Sequence, residues 1–171
     1  MMVVIFDDEL EDDAVSEVCD RITDAVYSLR EGDKVDVYFS TNGGPNKNRI
    51  PILNLFIKYQ DYINIYIHNI MLSNGFELLI ELLDENIPVY MTKEFVYSMV
   101  HNTDASLRIS RLHGFEKGLT KFIQKQNQNM LKRLKILGLT DEQLDIVKRG
   151  DDIYFTREET LKLFPNIIKE K

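Results

Sequence analysis

Three side chains and one turn in this sequence have the chemistry for covalent attack on a carbonyl group. Ser73 stands in "IMLSNGFELL" (70–79), where an apolar run stops at Ser73-Asn74-Gly75 and helix-forming residues follow. A serine at a strand-to-helix joint meets the N–H groups and positive dipole end of the helix, which favour developing negative charge. Its hydroxyl still needs a base to take the proton, and the base needs a carboxylate to hold its tautomer and stabilise the imidazolium. His101 ends an apolar segment, and the pair Asp151-Asp152 lies just before a capped helix, so Ser73, His101 and Asp152 would supply the set. The turn Asn42-Gly43-Gly44 adds glycines whose backbone N–H groups can approach a ligand closely, as an oxyanion or phosphate cradle requires. Residue types alone do not single out this trio, because a chain with 3 histidines and 28 acidic residues offers many such sets. Ser73 also reads as a helix N-cap, His101 as a strand-end histidine and Asp152 as a turn residue.

The elements that must hold these groups follow from the hydrophobic period. Strands are expected at 3–6, 34–40, 63–71, 88–92 and 95–101, and helices at 12–29, 49–60 and 75–85, with Pro51 in the first turn of its helix. Four strand–helix steps in succession predict a layered α/β domain with parallel strands, which carries its functional groups at the carboxyl ends of those strands. Beyond residue 118 a long polar helix spans Leu119 to Leu137, with an apolar stripe at Leu119, Ile123, Met130, Leu134 and Leu137 and a stop at Gly138. Two capping boxes, Thr140/Gln143 and Thr156/Glu159, open the helices after it. A stripe of that length is expected to find a partner beyond its own domain.

Composition bounds the function. A hydrophobic share of 44% over 171 residues supports one core and one domain, 1–171, with no internal repeat or dividing linker. The net charge of −7 argues against general nucleic-acid binding, and Lys132, Arg133 and Lys135 read as a solvated helix face. No apolar run approaches the roughly 18 residues of a spanning helix, and the first residues lack the pattern of a secretory signal, so a cytoplasmic protein is expected. The single cysteine, Cys19, falls at helical spacing among Val15, Val18, Ile22 and Val26 and reads as a core residue. His68 and His113 are assigned to structure or surface, and neither a metal nor a cofactor is expected.

Across nearly its whole length the chain resembles the ClpP family of self-compartmentalising serine peptidases, whose fold is related to crotonase. "VVIFDDELEDDAVSEV" resembles the family's opening strand and helix, and "VYFSTNGG" its strand ending in Asn-Ser-Pro-Gly-Gly. "MLSNGFELL" is similar to the nucleophile segment Ala-Ala-Ser-Met-Gly, "SMVHNT" to Met-Ile-His-Gln-Pro, and "RGDDIYFTREET" to Asp-Arg-Asp-Asn-Phe-Met-Ser-Ala-Glu-Glu-Ala. The resemblance implies repeated ββα and βα layers with a projecting handle helix: a head core at 1–105, a handle region at 106–138 and a return to the head at 139–171. It implies Ser73 as nucleophile, His101 as base and Asp152, not Asp151, as triad acid, 28 and 51 residues apart in the chain. The backbone N–H groups of Gly44 and Asn74 would form the oxyanion hole, and Gly75 would let the following helix pack closely. Polypeptides are the implied substrates and two stacked rings joined through the 119–137 handles the implied assembly.

The chain also departs from the family pattern. It opens almost on its first core strand, without the axial loop that touches an ATP-driven unfoldase, so such a partner is not a firm expectation. "DASLRISRLHGFEKG" replaces a glycine-rich strand that helps bind peptide, Thr103 replaces a proline, and Asn69 replaces a small residue. Glu77 stands one turn after Ser73 where the family is apolar, and its burial would cost several kcal/mol unless paired. The alternative function is a catalytically inactive ClpP-fold subunit acting as an oligomeric interaction or regulatory protein. A crotonase-like acyl-CoA enzyme fits less well, because that chemistry does not need Ser, His and Asp together.

Overall fold

The computed structural model describes the backbone of residues 2–101 and 115–170 and their side chains except at 115–123. The elements run β1 (Met2–Asp7), α1 (Asp12–Tyr27), β2 (Val35–Thr41), α2 (Asn46–Tyr59), β3 (Ile63–Leu72), α3 (Asn74–Asp84), β4 (Val89–Met91), β5 (Tyr97–Val100), α4 (Phe115–Ile136), α5 (Asp141–Lys148), β6 (Ile153–Thr156), α6 (Arg157–Leu163) and β7 (Ile168–Lys169). The chain divides into two compact units, one formed by Met1–Met99 with Phe155–Lys171 and the other by Val100–Tyr154.

In the first unit the sheet path is β1-β2-β3-β4-β7, each neighbouring pair parallel, and β5 also runs parallel to β3. Alternation explains the strands: Val35, Val37 and Phe39 of β2 and Ile63, Ile65 and Ile67 of β3 are buried. The residues between them turn to the other face, where Tyr38, Tyr66 and Tyr90 stack at centroid distances of 4.8 and 5.1 Å. β4 pairs with the first half of β3 at Ile65–Ile67, and β5 with its second half at Ile70–Leu72. The handover coincides with a register shift against β2 and with Asn69 at φ 53°, a left-handed conformation that asparagine tolerates better than most side chains. Helix α1 buries Val15, Val18 and Ile22 at helical spacing and places Asp12 and Asp13 in its first turn, at the positive end of the dipole. Cys19 on the same helix is half-buried, and burial together with the Asp20 charge pushes its thiol pKa up, which suits packing rather than reactivity.

In the second unit Met130 and Leu134 of α4 are buried, as are Leu139, Leu144 and Val147 around α5. Both capping boxes form, Thr140 with Gln143 at α5 and Thr156 with Glu159 at α6. Among the described residues no helix is long and apolar enough to cross a membrane.

Some expectations are corrected. Helix α2 begins at Asn46, so Pro51 sits inside it rather than in its first turn and leaves one interior carbonyl without its usual donor. The short strands β6 and β7 fall where only helix signals were legible, and α4 starts at Phe115, a turn before Leu119. Met130 and Leu134 are covered by their own chain, so this half of the handle stripe needs no second copy. Thr103, the 104–114 segment and His113 lie outside the described residues, as do the side chains of Leu119 and Ile123.

Candidate active site

Ser73 occupies the one-residue joint between β3 and α3 at φ 52° and ψ −115°. An L-residue there stores strain of about 1–3 kcal/mol, which persists only where the surroundings enforce it. They do: the Ser73 N–H donates to the Met99 carbonyl at 2.9 Å, and the Ser73 carbonyl accepts from the Glu77 N–H at 3.1 Å. The Ser73 side chain makes no capping bond to α3, so the N-cap reading does not account for this residue. A sharp, strained turn from a strand into a helix is how a nucleophilic serine is presented at the carboxyl end of a parallel strand.

The glycine turn lies directly against this joint. A Cβ on Gly43 would come within 2.8 Å of the Ser73 Cβ and 2.9 Å of the Leu72 carbonyl, and one on Gly44 within 2.9 Å of the Leu10 carbonyl. Both glycines hold positive φ, 98° and 145°, so neither is replaceable on backbone grounds either. Gly75 is needed for a different reason: a Cβ there would lie 2.5 Å from Thr41 Cγ2, so only glycine lets α3 start this close to the end of β2. Thr41 Oγ1 accepts from the Gly43 N–H at 3.0 Å, and the Gly43 carbonyl accepts from the Leu10 N–H at 2.6 Å. The Leu10 carbonyl in turn accepts from Asn48 Nδ2 at 2.7 Å, and Asn48 also donates to Asp12 at 2.7 Å. Lys47 first and Asn48 second hold the Asp12 carboxyl below the usual carboxylate range. Gly44 and Asn74, the candidate oxyanion donors, are both in this first unit, and Asn74 opens α3, where backbone N–H groups have no intrahelical acceptor.

His101 and Asp152 belong to the second unit and are brought together in it. His101 Nδ1 lies 3.3 Å from Asp152 Oδ1, with the side chains 33% and 42% exposed. Asp152 Oδ2 also accepts from the Tyr154 hydroxyl at 3.3 Å, whereas Asp151 is turned to Arg149 at 3.4 Å. The turn that leads into the two carboxylates is a Schellman close of α5, in which Gly150 at φ 86° donates to the Val147 carbonyl and the Asp151 N–H donates to the Ile146 carbonyl.

Sequence reasoning missed Arg49. Its Nε and Nη2 donate to the two oxygens of Glu81 at 2.8 and 3.1 Å, and its Nη1 donates to Asn74 Oδ1 at 2.7 Å and also to Glu77. The Glu77 charge is therefore paired, with the Arg49 side chain 11% and the Glu77 side chain 18% exposed. A carboxylate in a helix otherwise packed into the core was the legible signal that a cation had to face it. His68 is engaged elsewhere, its Nδ1 lying 3.1 Å from Thr92 Oγ1. Among the described residues no three His, Cys, Asp or Glu side chains gather as a metal ion would require.

No family model matches the chain, and no curated protein matches it in sequence. Among solved structures, an Asn-to-Asp point mutant of ClpP1 from Listeria monocytogenes is similar at a TM-score of 0.62 and 15% identity, over 98% of this chain and 89% of that one. The fold is ClpP-like. At this identity the similarity extends to the backbone alone, so the chemistry of the ClpP-like chain rests on its own residues.

Proposed function

We propose that this ClpP-like chain is a serine endopeptidase that hydrolyses polypeptides with Ser73, His101 and Asp152, inside a chamber built from copies of itself. The observation that carries the reading is the strained backbone of Ser73, at φ 52° with no capping bond, because a merely structural serine gains nothing from such a joint. The pairing of Asp152 with Nδ1 of His101 at 3.3 Å supports it, since that is the nitrogen a triad acid holds.

In this reading Nε2 of His101 takes the Ser73 proton as Oγ attacks the substrate carbonyl carbon. The carbonyl electron pair moves onto oxygen, and the N–H groups of Gly44 and Asn74 stabilise the charge. The tetrahedral intermediate collapses when the C–N bond breaks and His101 protonates the leaving amine, which leaves an ester on Ser73. Water, deprotonated by His101, then releases the acid and restores the serine. Asp152 holds the ring tautomer and stabilises the imidazolium without itself taking the proton. Stacked rings joined through α4 would supply the chamber, and an ATP-driven unfoldase is not required for cleavage of short or unfolded peptides.

The second reading, a ClpP-fold interaction protein without catalysis, is favoured by the 42% exposure of the Asp152 side chain, because a triad acid is ordinarily buried. Hydrolysis of fluorogenic peptides decides between them. Turnover by the wild type that disappears in Ser73→Ala supports the peptidase, and a folded, assembled wild type that cleaves nothing supports the interaction protein.

A further inference from the structure

We infer that Arg49 is a positioning residue that holds the oxyanion-stabilising turn in place through the carboxamide of Asn74. The inference rests on the peptidase reading and concerns the same site. Arg49 is fixed first: its Nε and Nη2 meet Glu81 Oε2 and Oε1 at 2.8 and 3.1 Å, fork against fork, which sets the guanidinium plane. Its remaining donor, Nη1, then serves Glu77 and Asn74 Oδ1, the latter at 2.7 Å. A guanidinium can only donate, so it must face the oxygen of the carboxamide, and the Asn74 NH₂ group is turned to the other side. There it donates to the Gly44 carbonyl, which can only accept. Both ends of Asn74 are thus dictated by their partners.

The consequence lies in the peptide planes on either side of Gly44. The plane before it is tied by the Leu10 N–H, which holds the Gly43 carbonyl at 2.6 Å; in a trans peptide the Gly44 N–H points the opposite way. The plane after it is tied by Asn74. Two consecutive glycines at φ 98° and 145° have no Cβ to limit rotation, so a donor placed between them keeps its direction only through such external ties. Asn74 also follows the serine in the chain, so one carboxamide couples the two proposed oxyanion donors, and Arg49 orients that carboxamide. Glu77 and Glu81 on α3 complete the device by holding the guanidinium of α2.

The test is Arg49→Lys, which keeps a positive charge opposite both glutamates but lacks the planar fork. With serines counted by active-site titration, kcat should fall about a hundredfold, on the scale of a misplaced catalytic group. KM should stay within about twofold, as expected when an interaction exists only in the transition state. Affinity for a peptide aldehyde, whose hemiacetal oxygen enters the hole, should fall in step with kcat. Asn74→Leu should give the same loss, and the double variant no more than either single change. Without any substrate, amide exchange in the 42–44 segment should quicken about tenfold in Arg49→Lys while the β2 and β3 cores are unchanged. Should Arg49→Lys not fold, Arg49→Met with Glu77→Gln and Glu81→Gln removes all three charges together and serves the same measurements. Folded variants with wild-type kcat and wild-type exchange would overturn the inference, as would a kcat loss in Arg49→Lys that Asn74→Leu does not share. A wild type that cleaves no peptide defeats the peptidase reading, and the exchange measurement then still decides whether Arg49 holds the turn.

Discussion

Asp152 lies 3.3 Å from Nδ1 of His101, while Asp151, its immediate neighbour, is paired with Arg149 instead. Two adjacent carboxylates therefore have separate partners, which gives an internal control. If Asp152 is the triad acid, Asp152→Asn should lower peptide turnover by roughly 10⁴. Asp151→Asn should change it by less than about twofold, as for a surface ion pair. Steady-state kinetics on the two variants checks this, and equal effects would remove Asp152 from the mechanism.

The contact between Gly75 and Thr41 gives a packing prediction. Gly75→Ala would place a methyl 2.5 Å from Thr41 Cγ2 in a buried region, and overpacking of this kind costs about 1–3 kcal/mol. Thr41→Ser removes that methyl yet keeps the hydroxyl that accepts from Gly43. Thermal melts should show Gly75→Ala lowered and the Gly75→Ala/Thr41→Ser double variant largely restored.

Much of this architecture was legible in the sequence, because strands such as 63–67 alternate strictly and helices such as α1 repeat their apolar residues at three and four. The strand-to-helix joint at Ser73 was legible for the same reason: an apolar strand pattern changes to a helical one across a small polar residue. The positive φ of Ser73 was not, since no local propensity asks a serine to adopt it. The bond from Ser73 N–H to Met99 and the close approach of Gly43 impose it. Arg49 was missed because its partners are 25 to 32 residues away in the chain, beyond any periodic pattern. Met130 belongs to a stripe expected to meet a second copy and is instead buried, because the short helix α5, whose packing direction the pattern does not fix, lies against α4.

Acid should loosen the glycine turn. The Asp12 pKa is depressed in the folded chain by Lys47 and Asn48, so its contribution is fully present above the unfolded value and is lost as pH falls through the folded one. Between about pH 5 and 2 the melting temperature of the wild type should fall more steeply than that of Asp12→Asn, which has no such charge to lose. Because the pair is exposed, added salt should shrink the difference. Coincident profiles would show that Asp12 does not anchor the turn.

Assembly is the next expectation. Helix α4 has 22 residues and is about 33 Å long at 1.5 Å per residue. Light scattering should show a large homo-oligomer, most simply two stacked rings and otherwise one. Met130 is buried within its own chain, so Met130→Asp tests folding, and Ile123→Asp is the substitution to split rings. A wild-type monomer at micromolar concentration would end the chamber model.

If Ser73 is a nucleophile activated by His101, a fluorophosphonate probe should capture it, as read by mass spectrometry. One adduct is expected, on the peptide that carries Ser73, absent in Ser73→Ala and lost in a folded His101→Ala. A folded, assembled wild type that takes no label, or a His101→Ala variant labelled at the full rate, would contradict it.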